Sequence, residues 1–441
     1  MPGACWSFSI PTMVRRWGIN PRVIDQSEML HMKARTWFGF ALINFFMAAL
    51  LGLLMRYAFV GELTWMPPYR QVLLAHSHVV MLGWVSQTIL VLLVLVYLGE
   101  EALSRRFYLT LIALHQSSIV IMLTGFLMQG YGPVSIAGTT LQGLLSYAFI
   151  YRFYRDIRTK FRPKELVWAY GALIFQFIAL LGIWMVACIM VFGGGKSALY
   201  YESVQFYLHY MINGWFTFAV LAIVVRWLPY SIPELLGKAW IWLVLSCLLT
   251  FALAITWASP KPWIFWINSL GVLLQLVALY FLVRWFRRGM PAWKQQLSKV
   301  TYLLLILIFL ALFLKIVIQT AVIVPVIAKV AYTIRNFVIG FLHLIFLAFM
   351  SLFLLAYATQ REWLDSGHWS LRWGLGIFIG GILSTELLLF GQGIMQWAAW
   401  GFMPHFYEWL FVSSGLLPLG IGIILANYWL RQVKPTQSGE I

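Results

Sequence analysis

The chain has 441 residues, of which 62% are hydrophobic and only 10% charged, whereas soluble domains are about half apolar and about a quarter charged. Its formal net charge is +17, from 31 Lys and Arg against 14 Asp and Glu. The composition excludes a soluble enzyme and leaves two readings of the charge, a nucleic-acid partner or a membrane topology bias.

Apolar runs of 18 or more residues recur along the whole chain, each long enough to cross a bilayer as a helix. The opening stretch MPGACWSFSIPTMVRRWGIN lacks the apolar core and cleavage site of a secretory signal. Spans fall near 37–59, 72–97, 107–129, 134–153, 167–192, 204–228, 239–257, 263–285, 301–325, 336–358, 371–393 and 408–430. The expected fold is an all-α polytopic membrane domain of about 12 helices over 37–430, with an N-terminal segment 1–36 and a tail 431–441.

Loops on one side of these spans carry 24 Lys and Arg, among them Arg152, Arg155, Arg158, Lys160, Arg162 and Lys164. The other side has Arg56, Arg70, Lys196, Lys261, Lys329 and Arg335, and Lys315 lies inside a span. This asymmetry is the positive-inside pattern, so both termini are expected in the cytoplasm and no nucleic-acid partner is needed. Cys5, Cys188 and Cys247 stand far apart, without metal or redox spacing, and read as packing residues.

The spans contain a recurring histidine. His78, His209 and His343 fall in the second, sixth and tenth spans, 131 and 134 residues apart. Each has a small residue five positions on: Gly83, Gly214 and Ala348. The segments HVVMLGW (78–84), HYMINGW (209–215) and HLIFLAF (343–349) suggest three diverged four-helix blocks. All three spans begin on the same expected outer side, which puts the histidines about 8–11 Å below that boundary.

Ionisable residues in spans usually face a bundle interior and mark pathways or cofactors. Neutral imidazole is the commonest metal ligand, and two imidazoles make a six-coordinate haem. Gly83, Gly214 and Ala348 suit a wall against which a flat macrocycle lies. His76 precedes His78 by two residues, so their rings point ~200° apart and cannot share one centre. The repeat singles out His78, and His76 faces elsewhere with Gly83 and Gln87.

The segments AHSHVVMLGWV, YYESVQFYLHYMINGWFTFAV and RNFVIGFLHLIF resemble subunit I of the haem-copper oxidase and nitric-oxide reductase superfamily, in particular a group of uncharacterised bacterial members. There is also a likeness to NnrS-type membrane proteins. The resemblance implies a pseudo-threefold core of twelve helices in a bacterial cytoplasmic membrane. It implies a low-spin b-type haem ligated by His78 (or His76) and His343, and it puts His209 on the family's helix 6 ligand to copper or non-haem iron.

The departures are informative. Phe341 stands where the high-spin haem ligand belongs, and the seventh span, KAWIWLVLSCLLTFALAITW, has no histidine. The family's binuclear centre cannot form in the usual way. What the resemblance then implies is electron transfer or nitric oxide or oxygen handling. The electron donor would be a quinol or cytochrome c, since no CxxCH motif is present, and other membrane subunits are possible partners. Two further readings stay open: a transporter or metal-handling assembly factor on the same scaffold, and an unorthodox oxidase or nitric-oxide reductase centre built from His76 and His209.

Arg335, Lys329 and Arg70 are candidates for haem propionates or simple interfacial anchors. Tyr207 and Tyr210 flank His209 as proton donors or belt residues. Lys315 and Glu386 read as a pair, or Thr385, Glu386 and Gln392 as a proton path. Asn213 and Gln129 read as interhelical hydrogen-bonding residues, His115 as structural, and His31, His368 and His405 as loop residues.

Overall fold

A computed structural model describes residues 26–433, apart from 63, 194–196 and 230–231. Most of the expected terminal segments 1–36 and 431–441, together with Cys5 and Lys196, lies outside the described residues. The chain is 86% helical, with no strand among the described residues. Among the described residues, eleven helices are long and apolar enough to cross a membrane, as expected where backbone groups must find partners within each segment.

We number the long helices α1 (Gln26–Tyr57), α2 (Tyr69–Leu98), α3 (Arg106–Gln129), α4 (Pro133–Ile157), α5 (Pro163–Val191), α6 (Ala198–Trp227), α7 (Pro233–Ile255), α8 (Pro262–Gln296), α9 (Lys299–Ala321), α10 (Arg335–Gln360), α11 (Trp369–Trp397) and α12 (Phe406–Val433). The twelfth expected span is α4, which has the length but is more polar than the other eleven. Its Ser135, Gln142 and Ser146 are buried in contacts with neighbouring helices and its own backbone. His31 lies within α1 and not in a loop.

Local chemistry starts the helices. Proline opens α4, α5, α7 and α8, where its missing N–H costs nothing. Ser197 and Ser298 cap α6 and α9 by accepting from Tyr200 N (3.2 Å) and Thr301 N (3.1 Å).

The helices divide into a centre and a rim. The apolar windows of α2, α6 and α10 are 94%, 78% and 72% buried inside the protein, against 28–44% for the other eight. The central three touch pairwise. Trp84 Nε1 of α2 donates to Ser351 Oγ of α10 (2.8 Å), and Tyr97 OH of α2 donates to Ala222 O of α6 (3.2 Å). Phe216 of α6 meets Phe346 of α10 at 6.1 Å. The rim packs as three arcs, α11–α12–α1, α3–α4–α5 and α7–α8–α9.

Each central helix contains one π-helical stretch, Val79–Ser86, Tyr210–Phe216 and Leu344–Ser351. Each begins on the residue after His78, His209 or His343. A π turn widens the helix and frees carbonyls from the ordinary ladder. Thr217 Oγ1 donates to Ile212 O (2.8 Å) and Ser351 Oγ to Phe346 O (2.6 Å), each five residues back. Both hydroxyls stand eight residues after their histidine, as does Ser86 in α2.

Candidate functional site

The histidines lie nine, eleven and eight residues from the first residues of their helices, Tyr69, Ala198 and Arg335. They are therefore about two to three turns in. All four imidazoles of the central helices, including His76, are half-buried. What differs is which helix each ring faces and which nitrogen stays free.

His76 faces α1. Its Nδ1 lies 2.8 Å from Ala48 O, and since a carbonyl only accepts, Nδ1 carries the proton and Nε2 keeps its lone pair. Gly52 makes room for the ring, because a Cβ there would lie 3.0 Å from His76 Cε1. His78 faces α3. Its Nδ1 donates to Leu74 O in its own helix (2.8 Å), and its ring packs on Phe126 at 4.4 Å and Tyr131 at 6.2 Å. Tyr131 lies in the turn after α3, with about half of its surface exposed.

His343, in α10, has a buried Nδ1 with no partner. The ionisable groups whose fields reach its ring are Arg56, at the end of α1, and His76. Arg56 in turn feels Arg335, in the first turn of α10. The expected repeat favours His78 as the partner of His343, but of the two α2 histidines it is His76 whose field reaches the His343 ring. Arg56 was counted in the charge asymmetry but given no role. Its distinguishing signal was its position at the end of the helix that packs against the HxH pair.

The arginines have no compensating acid. Arg56 is half-buried and Arg335 exposed, and neither forms an ion pair with a carboxylate among the described residues. Arg56 and Arg335 are thus two cations whose fields reach one another without a carboxylate paired to either among the described residues. Arg70 lies elsewhere, near Tyr131 and the His78 face. Lys329 sits in a short helix, Pro325–Thr333, just before α10.

His209 has a different environment. Its Nε2 donates to Cys247 O of α7 (2.8 Å), and its Nδ1 accepts from Asn213 Nδ2 (3.4 Å). Tyr210 meets the ring edge-on at 5.0 Å. With both nitrogens engaged, the imidazole has no lone pair to offer copper or iron, so the expected metal role at His209 has no support in this geometry. The joint centre of His76 and His209 is not assembled, because one ring faces α1 and the other α7. Among the described residues, no three His, Cys, Asp or Glu side chains gather as a metal site.

Gly83 and Gly214 serve helix packing, not a macrocycle wall. A Cβ on Gly214 would lie 2.6 Å from Phe175 Cβ of α5, and one on Gly83 3.1 Å from Asn44 Cβ of α1. Asn44 Nδ2 also donates to Gly83 O inside the π stretch (3.0 Å).

The expected Lys315–Glu386 pair is absent from the ion pairs of the described residues. Lys315 Nζ donates to Gln319 Oε1 (3.0 Å) in α9. Glu386, in α11, buries both carboxyl oxygens without a partner, and one of them would sit 3.3 Å from a Cβ on Gly340. Nor do the three residues of the proton path connect. Thr385 bonds backbone carbonyls of its own helix, and Gln392 Oε1 accepts from Met403 N (2.8 Å). His115 is structural: Gln142 Nε2 donates to its Nε2, and Ser118 holds Gln142 Oε1 (2.6 Å).

No protein-family model and no curated protein matches this chain.

Proposed function

We propose that the chain is a membrane haem protein holding one low-spin b-type haem between α2 and α10, with His76 and His343 as axial ligands. Arg56 and Arg335 would pair with its propionates. The juxtaposition of His76 and His343 beside two acid-free arginines carries this reading.

The residues suit the group. His76 holds its proton on Nδ1 against Ala48 O, the arrangement that fixes the tautomer of a ligating histidine and presents Nε2. His343 keeps an uncommitted Nδ1. A haem with two imidazole ligands supplies one-electron transfer. What the chain does is present the two rings from α2 and α10, with Ala48 O of α1 orienting His76, and supply positive charge that would pair with propionates. The reading gives the donor as a quinol or cytochrome c and the setting as a bacterial cytoplasmic membrane. It also takes the three arcs, the three π stretches and the hydroxyls eight residues after each histidine as marks of an oxidase subunit I-like core of three repeats.

The experiment is a reduced-minus-oxidised visible spectrum with haem quantification on protein made with ample haem. Stoichiometric b-type haem, lost in His343→Ala and His76→Ala but kept in His78→Ala, is expected. A featureless spectrum from well-folded protein overturns the proposal.

A further inference from the structure

At the level of His209, the helices α6, α7, α8 and α9 enclose a small chamber. Its wall includes Asn213 and Thr217 of α6, Cys247 and Thr250 of α7, Gln275 of α8 and Lys315 of α9. The room inside is about 10 Å³, close to the least space that holds one water.

The polar groups on this wall are left incomplete. Lys315 is 2% exposed and Gln275 6% exposed. The Lys315 Nζ has one protein acceptor, Gln319 Oε1. Asn213 Oδ1 and Gln275 Oε1 are buried acceptors with no donor. The threonines cannot serve them, since Thr217 and Thr250 already donate to Ile212 O and Ser246 O (both 2.8 Å). Unpartnered amide oxygens in an apolar interior are costly, and a lysine at this depth needs more than one acceptor.

We infer that the chamber is a binding site for a single water molecule held by Lys315. A water donates two hydrogen bonds and accepts up to two. Here it accepts from Lys315 Nζ and donates to Asn213 Oδ1 and Gln275 Oε1, which gives each open amide oxygen a donor and the amine a second acceptor. No other occupant satisfies all three groups in this space. A cation repeats the charge beside the amine, and an anion meets two carbonyl oxygens. The site does not depend on the haem reading, because neither His76 nor His343 lines it. It also explains why a lysine lies in a span without the acid partner expected for it. Lys315 stands six residues before Ala321, the last residue of α9, and Gln319, one turn on, is half-buried.

Pulsed X-ray radiolysis read by mass spectrometry tests this, because hydroxyl radicals form from ordered water and oxidise what they touch. Cys247 lines the chamber and is 5% exposed. In the native protein Cys247 should be oxidised roughly fivefold faster than in the Lys315→Met, Gln275→Leu double variant, whose chamber is dry. Equal rates, or no oxidation of Cys247 in the native protein, overturn the inference. If the double variant does not fold, a map of the native protein that resolves ordered water decides alone. Density between Nζ and the two amide oxygens supports the site, and an empty chamber refutes it.

Discussion

His343 and His209 occupy matching places on central helices, each followed at once by a π stretch, yet they end in opposite chemical states. His343 has an unpartnered Nδ1 and lies beside a second histidine and an arginine. His209 has both nitrogens bound, one to the α7 backbone and one to its own helix. The sequence sets where an imidazole sits along a helix, and the neighbouring rim helix decides what it bonds. At α6, the neighbour α7 offers a bare carbonyl. At α2 and α10, α1 offers a carbonyl to His76 on one nitrogen only and brings Arg56 near enough for its field to reach both rings.

The sharpest way to break this contrast is to delete each imidazole. His343→Ala should remove essentially all bound haem, and His209→Ala should leave haem content unchanged, as read by quantification on equal amounts of folded protein. Haem loss in both variants would make the two regions equivalent. A second, smaller effect is expected at Gly52. A methyl there would lie 3.0 Å from His76 Cε1, so Gly52→Ala should displace the ring and weaken haem retention roughly tenfold while the fold persists. Retention equal to the native protein's would show that His76 does not need this seat.

Stability distinguishes the regions in the other direction. Replacing His209 removes two hydrogen bonds and strands Cys247 O and Asn213. Interhelical bonds in membranes average about 0.6 kcal/mol and reach about 1.7, so His209→Ala should cost about 1–2 kcal/mol in a refolding titration. In the haem-free protein, His343→Ala should cost less, since His343 Nδ1 bonds nothing. The smallest expected change is at Glu386, whose carboxyl oxygens are buried without partners. Glu386→Leu should leave stability level or raise it by about 1 kcal/mol in the same titration, because an unsatisfied polar group is removed. A loss of several kcal/mol would mean that Glu386 has a partner the geometry does not show.

Much of the architecture was legible from the chain. Apolar run length placed the spans, and the weaker fourth one is the helix whose buried Ser135, Gln142 and Ser146 make it more polar. The equal spacing of His78, His209 and His343 pointed to α2, α6 and α10, which prove to be the three most buried helices. The π stretches were not legible, because no residue type demands a π turn. The one trace was a hydroxyl eight residues after each histidine, Ser86, Thr217 and Ser351, whose use appears only once the freed carbonyls are seen. The Lys315–Glu386 pairing failed because two isolated charges in spans suggest each other in a sequence, whereas a lysine can be satisfied by Gln319 one turn away.

The sequence by itself determined that this is a bundle of membrane-length helices and which helices carry imidazoles at one level. Those properties depend on periodicity and hydropathy, which are local along the chain. Only the tertiary structure decided which imidazole is free. Whether a ring nitrogen keeps its lone pair depends on a carbonyl, an amide or a guanidinium supplied by another helix. Ala48 O and Arg56 for His76, and Cys247 O for His209, come from residues 20–38 positions away in the chain. Pairings over that distance follow from how the rim packs on the centre, and no spacing in the sequence encodes them.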